Sequence, residues 1–426
     1  MTATLNMNID IHHLTRVEGH GNIHVIVKEG RLVKAQWAVV ETPRFFEAML
    51  RGMSCEMAPL LTARICGICS IGHALASLRA IERGFNIKIP ESAQKIRLLA
   101  KHGETLQSHL LHLFFLVAPD FLNQKSIIPL VNSHRRVVES ALRLRRLANT
   151  ICDMMAGRTT HPVNFCIGGI NTVPEKRALE TLRESIDARI SDMEYLAEFI
   201  TMLKMPDFVR ETEFVSLKGE ARYPWIGGDL VSTDGVVKKE DEYRAMTNEY
   251  KEDFTTSKFT RLSRDSFAVG ALARLNNNYH FLRPQVRERA EELGLQPITH
   301  NPFMNNIAQL LECVHIMSEA PELLDELLDD TLNDICTKYE VKAGEGTGAV
   351  EVPRGILYHH YEINGKGLIE KANCIIPTTQ NNANIHHDIA ALVEQAIAQG
   401  KSDSEAAKLC EMLVRSYDPC ISCSVH

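Results

Sequence analysis

Two pairs of cysteines with identical spacing occur near opposite ends of this 426-residue chain. Cys66 and Cys69 lie in RICGICSIGH, and Cys420 and Cys423 lie in DPCISCSVH. A Cys-x-x-Cys turn directs both sulfurs to one side of the backbone, and cysteine thiolates are soft ligands that bind transition metals. If the fold brings the two pairs together, the chain can present four thiolates to one metal site.

Three kinds of metal site are compatible with this spacing. A structural zinc site takes four thiolates, but zinc ribbons usually place their two pairs about 15–20 residues apart. Here roughly 350 residues separate the pairs. An iron–sulfur cluster also takes four thiolates, but its ligands tend to lie in a compact run. The third kind is a redox-active transition metal held between two distant parts of a helical bundle. Spacing alone leaves all three open, because thiolates do not identify the metal.

The other cysteines carry no such pattern. The chain has eleven cysteines, an odd number, which favours free thiols and metal ligands over a framework of disulfides. A cysteine that is isolated in sequence is usually a small buried hydrophobic side chain. We apply this interpretation to Cys55, Cys152, Cys166, Cys313, Cys336, Cys374 and Cys410.

Composition argues against several classes of function. The net charge of −7 argues against a nucleic acid partner, since no basic stripe is present to neutralise phosphates. Residues 1–19 lack the basic segment and apolar core of a secretory signal. No run approaches the roughly 18 apolar residues that are needed to span a bilayer. We therefore expect a cytoplasmic protein without direct membrane insertion.

Hydrophobic periodicity predicts the elements that must position the cysteines. Residues 22–40 alternate apolar and polar side chains around KEGR, which predicts two strands joined by a turn. A helix is expected to begin after Pro43. Apolar residues then recur at three- and four-residue steps, which predicts long bundle helices over 91–117, 135–157 and 175–204.

The second half of the chain is more varied. Residues 206–265 resemble irregular structure with short strands. Residues 341–377 are rich in strand and turn signals. Helices are predicted over 281–294, 303–330 and 384–416, and the last leads directly into the cysteine tail.

The predicted fold is mainly α with β decorations (α+β), with a core of long helices and an N-terminal β-hairpin or sheet. Both Cys-x-x-Cys motifs are expected to converge on a buried metal site. No repeat or linker divides the sequence, so we expect a single domain over 1–426. We expect a β-rich N-terminal part over 1–60 and a helical bundle over 61–205. An irregular insertion is expected over 206–280, and residues 281–426 are expected to form helices, a β segment and the ligand tail.

The segments that flank the cysteines indicate one family. They occur in the order RVEGHGNI at 16–23, RICGICSIGHALAS at 64–77, GRTTHPVNFCIGG at 157–169, PRGILYHH at 353–360, IIPTTQNN at 375–382 and DPCISCSVH at 418–426. Together they resemble the large, catalytic subunit of a nickel–iron hydrogenase, and the resemblance extends over the whole chain. The sequence looks most similar to the cytoplasmic, bidirectional, NAD(P)-linked or sulfhydrogenase-type branch.

This resemblance implies a metal centre and a reaction. Cys66 and Cys420 match the terminal nickel ligands, and Cys69 and Cys423 match the cysteines that bridge nickel to iron. In the family the iron also carries carbon monoxide and two cyanides. The implied reaction is the reversible heterolytic cleavage of dihydrogen into protons and electrons, with Cys420 among the catalytic groups.

Two further residues match catalytic positions of the family. Glu18 matches the proton-relay carboxylate next to a terminal cysteine, although from sequence alone it could instead form a salt bridge with Arg16. Arg354 matches an arginine that overhangs the open coordination position, in a loop that Pro353 would fix. A surface arginine in a turn is the alternative.

Other matches concern the surroundings of the metals. Pro377 and Thr378 match the pocket around the diatomic ligands. Asp418 and Asp120 match acids that orient the arginine, and His73 matches a histidine that donates to a bridging sulfur. His426 and Glu47 match the ligands of a second ion, magnesium or iron. The pairs His12–His13, His359–His360 and His386–His387 have no motif support, and we interpret them as surface or packing residues.

Partners follow from the resemblance as well. Because no further cysteine cluster is present, electrons must leave through a small subunit that carries iron–sulfur clusters, with diaphorase or other electron-transfer subunits beyond it. The soluble acceptor would be one such as NAD(P). Two alternatives are a non-enzymatic helical scaffold stapled by a four-cysteine zinc site, and a nickel-free homologue from a respiratory complex. Relatives of the latter kind lack one or both cysteine pairs.

Overall fold

A computed structural model describes residues 6–426, so the first five residues of the expected β-rich part lie outside the described residues. The strands are β1 (Met7–Ile11), β2 (Gly21–Lys28), β3 (Arg31–Val39), β4 (Phe165–Cys166), β5 (Gly169–Ile170), β6 (Glu213–Leu217), β7 (Leu230–Ser232), β8 (Val237–Lys238), β9 (Phe267–Ala268), β10 (Gly344–Val352), β11 (Gly355–Ile363) and β12 (Ile369–Ile375).

The helices are α1 (Phe46–Leu50), α2 (Ala58–Thr62), α3 (Ser70–Phe85), α4 (Glu91–Leu111), α5 (Ala118–Phe121), α6 (Leu130–Ser133), α7 (Arg135–Ala156), α8 (Lys176–Asp187), α9 (Ile190–Thr201), α10 (Tyr243–Thr247), α11 (Ala271–Asn278), α12 (Pro284–Glu292), α13 (Asn305–Asp329), α14 (Pro377–Ala398) and α15 (Asp403–Ser416). The fold is helical in its core with small sheets around it, as the sequence predicted.

The N-terminal sheet has the antiparallel order β1-β2-β3. The predicted strand–turn–strand unit over 22–40 is confirmed. Its turn is Glu29–Gly30, and both residues have positive φ, which matches the twist of a tight hairpin. The side chains of β2 alternate between buried and half-buried, so one face packs on the core. Trp37 on β3 fixes the sheet to α14, because its indole N–H donates to Asn382 at 3.0 Å.

The bundle contains the predicted long helices over 91–117 and 135–157. They form α4, which continues as one π-helical turn over His112–Val117, and α7. Gly103 lets α4 and α7 approach closely, because a Cβ atom there would lie 2.8 Å from Cys152 Sγ. The apolar residues of α7 recur at helical spacing, and its buried face carries Val137, Val138, Ala141, Leu144, Leu147, Ala148, Ile151 and Met155.

Two predicted long helices are each divided into two. The segment 175–204 forms α8 and α9, which are interrupted at Ala188 and Arg189. The segment 384–416 belongs to α14, which already begins at Pro377, and to α15. The second interruption has an identifiable cause. Gly400 adopts positive φ, and Ser402 forms a capping box with Glu405 that begins α15.

The sheet β10-β11-β12 packs closely against α3. Glycines at every second position of β10 permit this approach. A Cβ atom at Gly348 would lie 2.1 Å from the carbonyl oxygen of Ala76, and one at Gly346 would lie 2.3 Å from that of Ala80. The sheet therefore holds α3 in place immediately after Cys69.

The remaining sheets are small. One has the order β8-β7-β6-β9, in which only the β6–β9 pair is parallel, and β4 pairs with β5. Within residues 6–426, every helix is too short or too polar to cross a lipid bilayer.

Candidate metal centre

Three parts of the backbone bring the two cysteine pairs together. Cys66 lies in the loop after α2, and Cys69 is the residue that precedes α3. The C-terminal segment after α15 pairs with the loop around Glu18, since the Ile421 N–H donates to the Glu18 carbonyl at 2.9 Å. The Cys420 N–H donates to the Thr378 hydroxyl at 2.9 Å. Contacts within the protein thus hold the C-terminal cysteines in the interior.

All four sulfur-bearing side chains are buried, with exposed fractions of 4% or less. Cys66 Sγ lies 3.7 Å from Cys420 Sγ, although 354 positions separate the two residues. The sulfurs of Cys66, Cys420 and Cys423 all lie within 4.8 Å of one another, so the three can face one metal position. Cys69 adjoins this group, because its N–H donates to Cys66 Sγ at 3.2 Å.

The thiols of the first pair differ in acidity. A hydrogen bond from the Cys69 thiol and the nearby guanidinium of Arg354 lower the pKa of Cys66. The same interaction with Cys66, together with burial, raises the pKa of Cys69 well above its ordinary value. The two shifts have opposite directions, so Cys66 is the more acidic thiol of the pair.

Arg354 is 4% exposed, so it is not the surface arginine that the sequence left open. Its Nη2 donates to Asp418 Oδ1 at 2.8 Å, and its Nη1 lies 3.4 Å from the Ser108 hydroxyl. The Nε of Arg354 has no hydrogen-bond partner among the described residues. Asp418 is itself held by the side-chain amide of Gln309 at 3.2 Å.

A second arginine fixes the loop that carries Arg354. Arg274 on α11 is fully buried, and it donates to the carbonyl oxygens of Val352 at 2.9 Å and Pro353 at 3.2 Å. The carboxylates of Glu312 and Glu351 balance its charge at 2.6 and 3.0 Å. The role of Arg274 could not be predicted from the sequence, since no motif surrounds this residue.

Asp120 does not orient Arg354, and this expectation is corrected. Its carboxylate accepts hydrogen bonds from Arg415 at 2.6 and 3.0 Å and also pairs with Arg16. Asp120 therefore ties α5 to α15 and to the N-terminal loop. Because Arg16 is engaged in this way, the suggested salt bridge between Arg16 and Glu18 is not formed either.

Glu18 is half-buried beside the cysteine tail. Its Oε2 accepts from the Ser422 N–H at 3.1 Å, and its Oε1 accepts from the Ser422 hydroxyl. Gly19 permits this approach, because it has positive φ and a Cβ atom there would lie 2.8 Å from Ser422 N. The carboxylate of Glu18 thus binds Ser422, the residue that lies between Cys420 and Cys423 in the sequence.

His73 begins a buried chain of hydrogen bonds. Its Nδ1 lies 3.1 Å from His359 Nε2, and His359 Nδ1 lies 2.7 Å from the Tyr361 hydroxyl, which donates to Ser77 at 3.1 Å. The Nε2 of His73 is buried and has no partner among residues 6–426. Burial lowers the pKa of His359 to about 3 and places that of His73 well below its ordinary value, so both rings are neutral near pH 7.

The sequence interpretation of His359 as a surface or packing residue missed this role. The available signal was the alternation of strand β11, in which neighbouring residues point to opposite faces. His359 and His360 therefore lie on different faces of the sheet, and only His359 contacts His73.

Glu47 and His426 are close to each other. His426 Nε2 lies 3.8 Å from the Glu47 carboxylate and 2.6 Å from the carbonyl oxygen of Cys374, while its Nδ1 lies 3.0 Å from that of Cys423. The Cys374 N–H donates to the same Glu47 carboxylate at 2.7 Å. The contact of His426 with the Cys374 carbonyl oxygen could not be predicted from the sequence, because every residue has a backbone carbonyl group.

The expected pocket residues lie at the start of α14. Pro377 occupies its first turn, where a missing N–H costs no hydrogen bond. The Thr378 hydroxyl accepts from the Cys420 N–H, so its own hydrogen remains available to another acceptor.

Two of the other cysteines differ from expectation. Cys336 is exposed and Cys166 is half-buried, and their sulfurs lie 3.7 Å apart. The remaining five are buried as expected, namely Cys55, Cys152, Cys313, Cys374 and Cys410.

The donor set fits a soft transition metal. It offers buried sulfurs from both pairs, an arginine with an unsatisfied N–H and a hydroxyl with a free hydrogen, all in one interior region. Thiolates suit nickel and iron, and the N–H and O–H groups suit anionic ligands on such metals.

Comparisons with known proteins agree with this chemistry. The family described as nickel-dependent hydrogenase matches residues 44–134 and 216–426. Sulfhydrogenase 1 subunit alpha of Pyrococcus furiosus is 33% identical over 99% of this chain and 98% of its own length. The beta subunit of the NAD-reducing hydrogenase HoxS of Cupriavidus necator is 27% identical over 99% of this chain and 95% of its own.

Solved structures of hydrogenases have the same fold as this chain. The crystal structure of an NAD+-reducing NiFe-hydrogenase in the H2-reduced state superposes with a TM-score of 0.90 at 27% identity, over 98% of this chain and 99% of that one. A NiFeSe-hydrogenase of Dm. baculatum has a TM-score of 0.80 at 22% identity, over 99% and 100% of the two chains, and this likeness concerns the fold.

Proposed function

Because this chain belongs to the nickel-dependent hydrogenase family, we propose that Cys66, Cys69, Cys420 and Cys423 bind one nickel–iron centre. The protein is the catalytic large subunit of a hydrogenase, an oxidoreductase that acts on dihydrogen. The observation that carries the ligand assignment is the 3.7 Å distance between sulfurs from opposite ends of the chain. When bound, the nickel–iron pair supplies the site for heterolytic cleavage of dihydrogen.

Within this site we assign Cys66 and Cys420 as terminal nickel ligands, and Cys69 and Cys423 as bridges to iron. Each cysteine would bind as its thiolate, which is the ligand form. Burial of all four side chains supports their role as metal ligands, because water is kept from the sulfurs. The division into terminal and bridging ligands rests on the resemblance of the motifs.

Glu18 is the proposed proton acceptor. Its backbone pairs with that of Cys420, and its carboxylate faces Ser422. We propose that a proton released at the Cys420 sulfur passes to the half-buried carboxylate of Glu18. Ser422 holds the carboxylate in place through its N–H and hydroxyl.

Arg354 is proposed to place its positive charge next to the open coordination position of the metal centre. Its permanent charge is oriented by Asp418, and its Nε remains free to donate. We propose that the iron carries carbon monoxide and two cyanides, whose nitrogens accept from Arg354 and from the Thr378 hydroxyl. Pro353 and Pro377 are proposed to restrict the backbone next to Arg354 and Thr378.

His73 is proposed to donate from Nε2 to a bridging sulfur. A neutral imidazole carries one hydrogen, and with Tyr361 donating to Ser77 the chain places that hydrogen of His73 on Nδ1. Donation from Nε2 requires each hydrogen bond in the chain to reverse. The hydroxyls allow this without movement of heavy atoms, so we infer that a negatively charged sulfur at the centre reverses the chain.

A second ion, magnesium or iron, is proposed at Glu47 and His426. Both ring nitrogens of His426 face carbonyl oxygens, at 2.6 and 3.0 Å. A neutral imidazole can donate to only one of them. A cation that binds Nε2, the Glu47 carboxylate and the Cys374 carbonyl oxygen would remove the conflict, since Nδ1–H could then donate to Cys423.

Large subunits of hydrogenases pair with small subunits, and this chain needs such a partner to carry electrons away. We propose that the small subunit holds iron–sulfur clusters, that diaphorase or related subunits follow, and that NAD(P) or a similar soluble acceptor takes the electrons in the cytoplasm. The acceptor named for two relatives, NAD, supports this choice.

Metal analysis of the purified enzyme tests the proposal. We expect one nickel per large subunit, iron in excess of nickel because the clusters of the small subunit add iron, and infrared bands from carbon monoxide and cyanide that vanish in a nickel-free, iron-free preparation. A zinc scaffold would hold one zinc and give no such bands. That second result would overturn the proposed centre.

A further inference from the structure

One face of the sheet β10-β11-β12 carries a cluster of potential metal ligands. In the sequence, these residues are distant from both cysteine pairs. The antiparallel register places Glu345 opposite Glu362 and Thr347 opposite His360. These four side chains share the face that points away from α3, because the alternate glycines of β10 pack against α3. The cluster is thus separated by the sheet from His359 and the chain that leads to His73.

His360 is the buried member of the cluster. It is 6% exposed, and the ring of Tyr243 packs against it with centroids 5.5 Å apart. Its Nδ1 lies 3.1 Å from the Thr347 hydroxyl. Its Nε2 is buried without a hydrogen-bond partner among the described residues, and it lies 3.4 Å from Glu345 Oε1.

We propose that Glu345, His360 and Glu362 bind one divalent transition metal ion of the zinc type. One ligand atom from each of the three residues lies within 4.8 Å of the other two. If Nδ1–H donates to Thr347, Nε2 presents its lone pair to the carboxylates, which is the arrangement that a metal-bound histidine uses. The site rests on residues outside the proposed nickel–iron centre.

The ligand types select the metal. An imidazole with two carboxylates suits zinc, whereas magnesium and calcium prefer oxygen ligands alone. Glu345 is largely exposed, so an ion there keeps one open position for water. Three ligands on two paired strands bring the carboxylates together without folding a loop around the ion.

Two cations compete with the ion. Lys371, opposite Glu362 on β12, lies 2.9 Å from its carboxylate. Arg244 lies near the cluster and donates to the Tyr243 hydroxyl at 3.1 Å. Lys371 is largely exposed, so its flexible side chain can move into solvent when an ion binds. Because an ion must first displace this ammonium group from Glu362, we expect Lys371→Met to tighten zinc binding in the same titration.

Zinc titration of the purified hydrogenase complex tests this site. After dialysis against a mild chelator, calorimetry with zinc chloride should give one binding event that Glu345→Gln and Glu362→Gln each weaken by about tenfold or more, equal to ~1.4 kcal/mol. Glu370→Gln, an exposed carboxylate on β12, should leave it unchanged. Both glutamates are at least partly exposed, so folding of the variants is not at risk.

Each other outcome contradicts the proposal. If the parent complex binds no zinc, or if both variants bind zinc as the parent does, the cluster is not a metal site. Binding that is lost equally in Glu370→Gln reflects surface charge only and also overturns it. Since none of these variants touches the two cysteine pairs, nickel content and dihydrogen turnover should stay at the parent level, and this result separates the site from the proposed function.

Discussion

We expect Cys423→Ser to abolish dihydrogen turnover and to lower the nickel content of the purified complex. The buried sulfur of Cys423 lies within 4.8 Å of those of Cys66 and Cys420, so its loss removes a ligand from the centre of the site. A serine hydroxyl is a hard donor that stays protonated near neutral pH, whereas a soft thiolate binds nickel and iron together. Nickel by elemental analysis and hydrogen oxidation by an artificial acceptor measure the two effects.

Cys336→Ser is the matched control, since it makes the same chemical change at an exposed thiol outside the site. It should retain turnover and nickel at the parent level. Circular dichroism and gel filtration establish that each variant is folded and assembled. Full nickel occupancy with substantial turnover in Cys423→Ser would refute the assignment of this cysteine as a ligand.

Glu18→Gln should leave nickel and iron in place and slow hydrogen–deuterium exchange with solvent by about 100-fold or more, the range expected for loss of a general base. Glutamine has the shape of glutamate and can still accept from Ser422. It cannot take up a proton at neutral pH, so the path that starts beside Cys420 is interrupted. Mass spectrometry of the dihydrogen isotopologues measures the exchange, and metal analysis measures occupancy.

Glu41→Gln serves as the control for Glu18. It neutralises a nearby carboxylate whose side chain accepts from His20 and does not contact the cysteine tail. Exchange at the parent rate is expected there. If Glu18→Gln also exchanged at the parent rate, the proton would have to leave through another group.

Local patterns in the sequence were enough to predict the elements around the site. The alternation over 22–40 and the KEGR turn define a hairpin that depends on neighbouring residues alone. The helical spacing over 135–157 likewise reports one buried face. The interruption at Ala188 and Arg189 could not be predicted in this way, because the helical spacing of apolar residues continues across it.

The interruption between α14 and α15 can be recognised in the sequence. Gly400 followed by Ser402 and Glu405 is the pattern of a helix end and a new capping box. The helical periodicity on both sides of it suggested one helix. At this point the turn residues mark the boundary between two helices, although the helical periodicity continues on both sides.

The site shows the same division between local and long-range information. The shared spacing of the cysteine pairs predicted that sulfurs from both ends of the chain meet, and those of Cys66, Cys420 and Cys423 do. The pairing of Arg354 with Asp418 followed from the resemblance. Asp120 was assigned to the wrong arginine, because the sequence does not state which of several buried guanidinium groups a carboxylate faces. Arg274 and the Cys374 carbonyl were missed, because their roles arise only when distant segments pack together.

Nickel K-edge X-ray absorption of the purified enzyme shows directly which atoms bind the nickel. We expect a first shell of sulfur neighbours with a nearby iron, and loss of a sulfur neighbour from any nickel that remains in Cys423→Ser. A first shell of nitrogen or oxygen atoms, or a sulfur shell that Cys423→Ser leaves unchanged, would contradict the claim that both ends of the chain bind one metal pair.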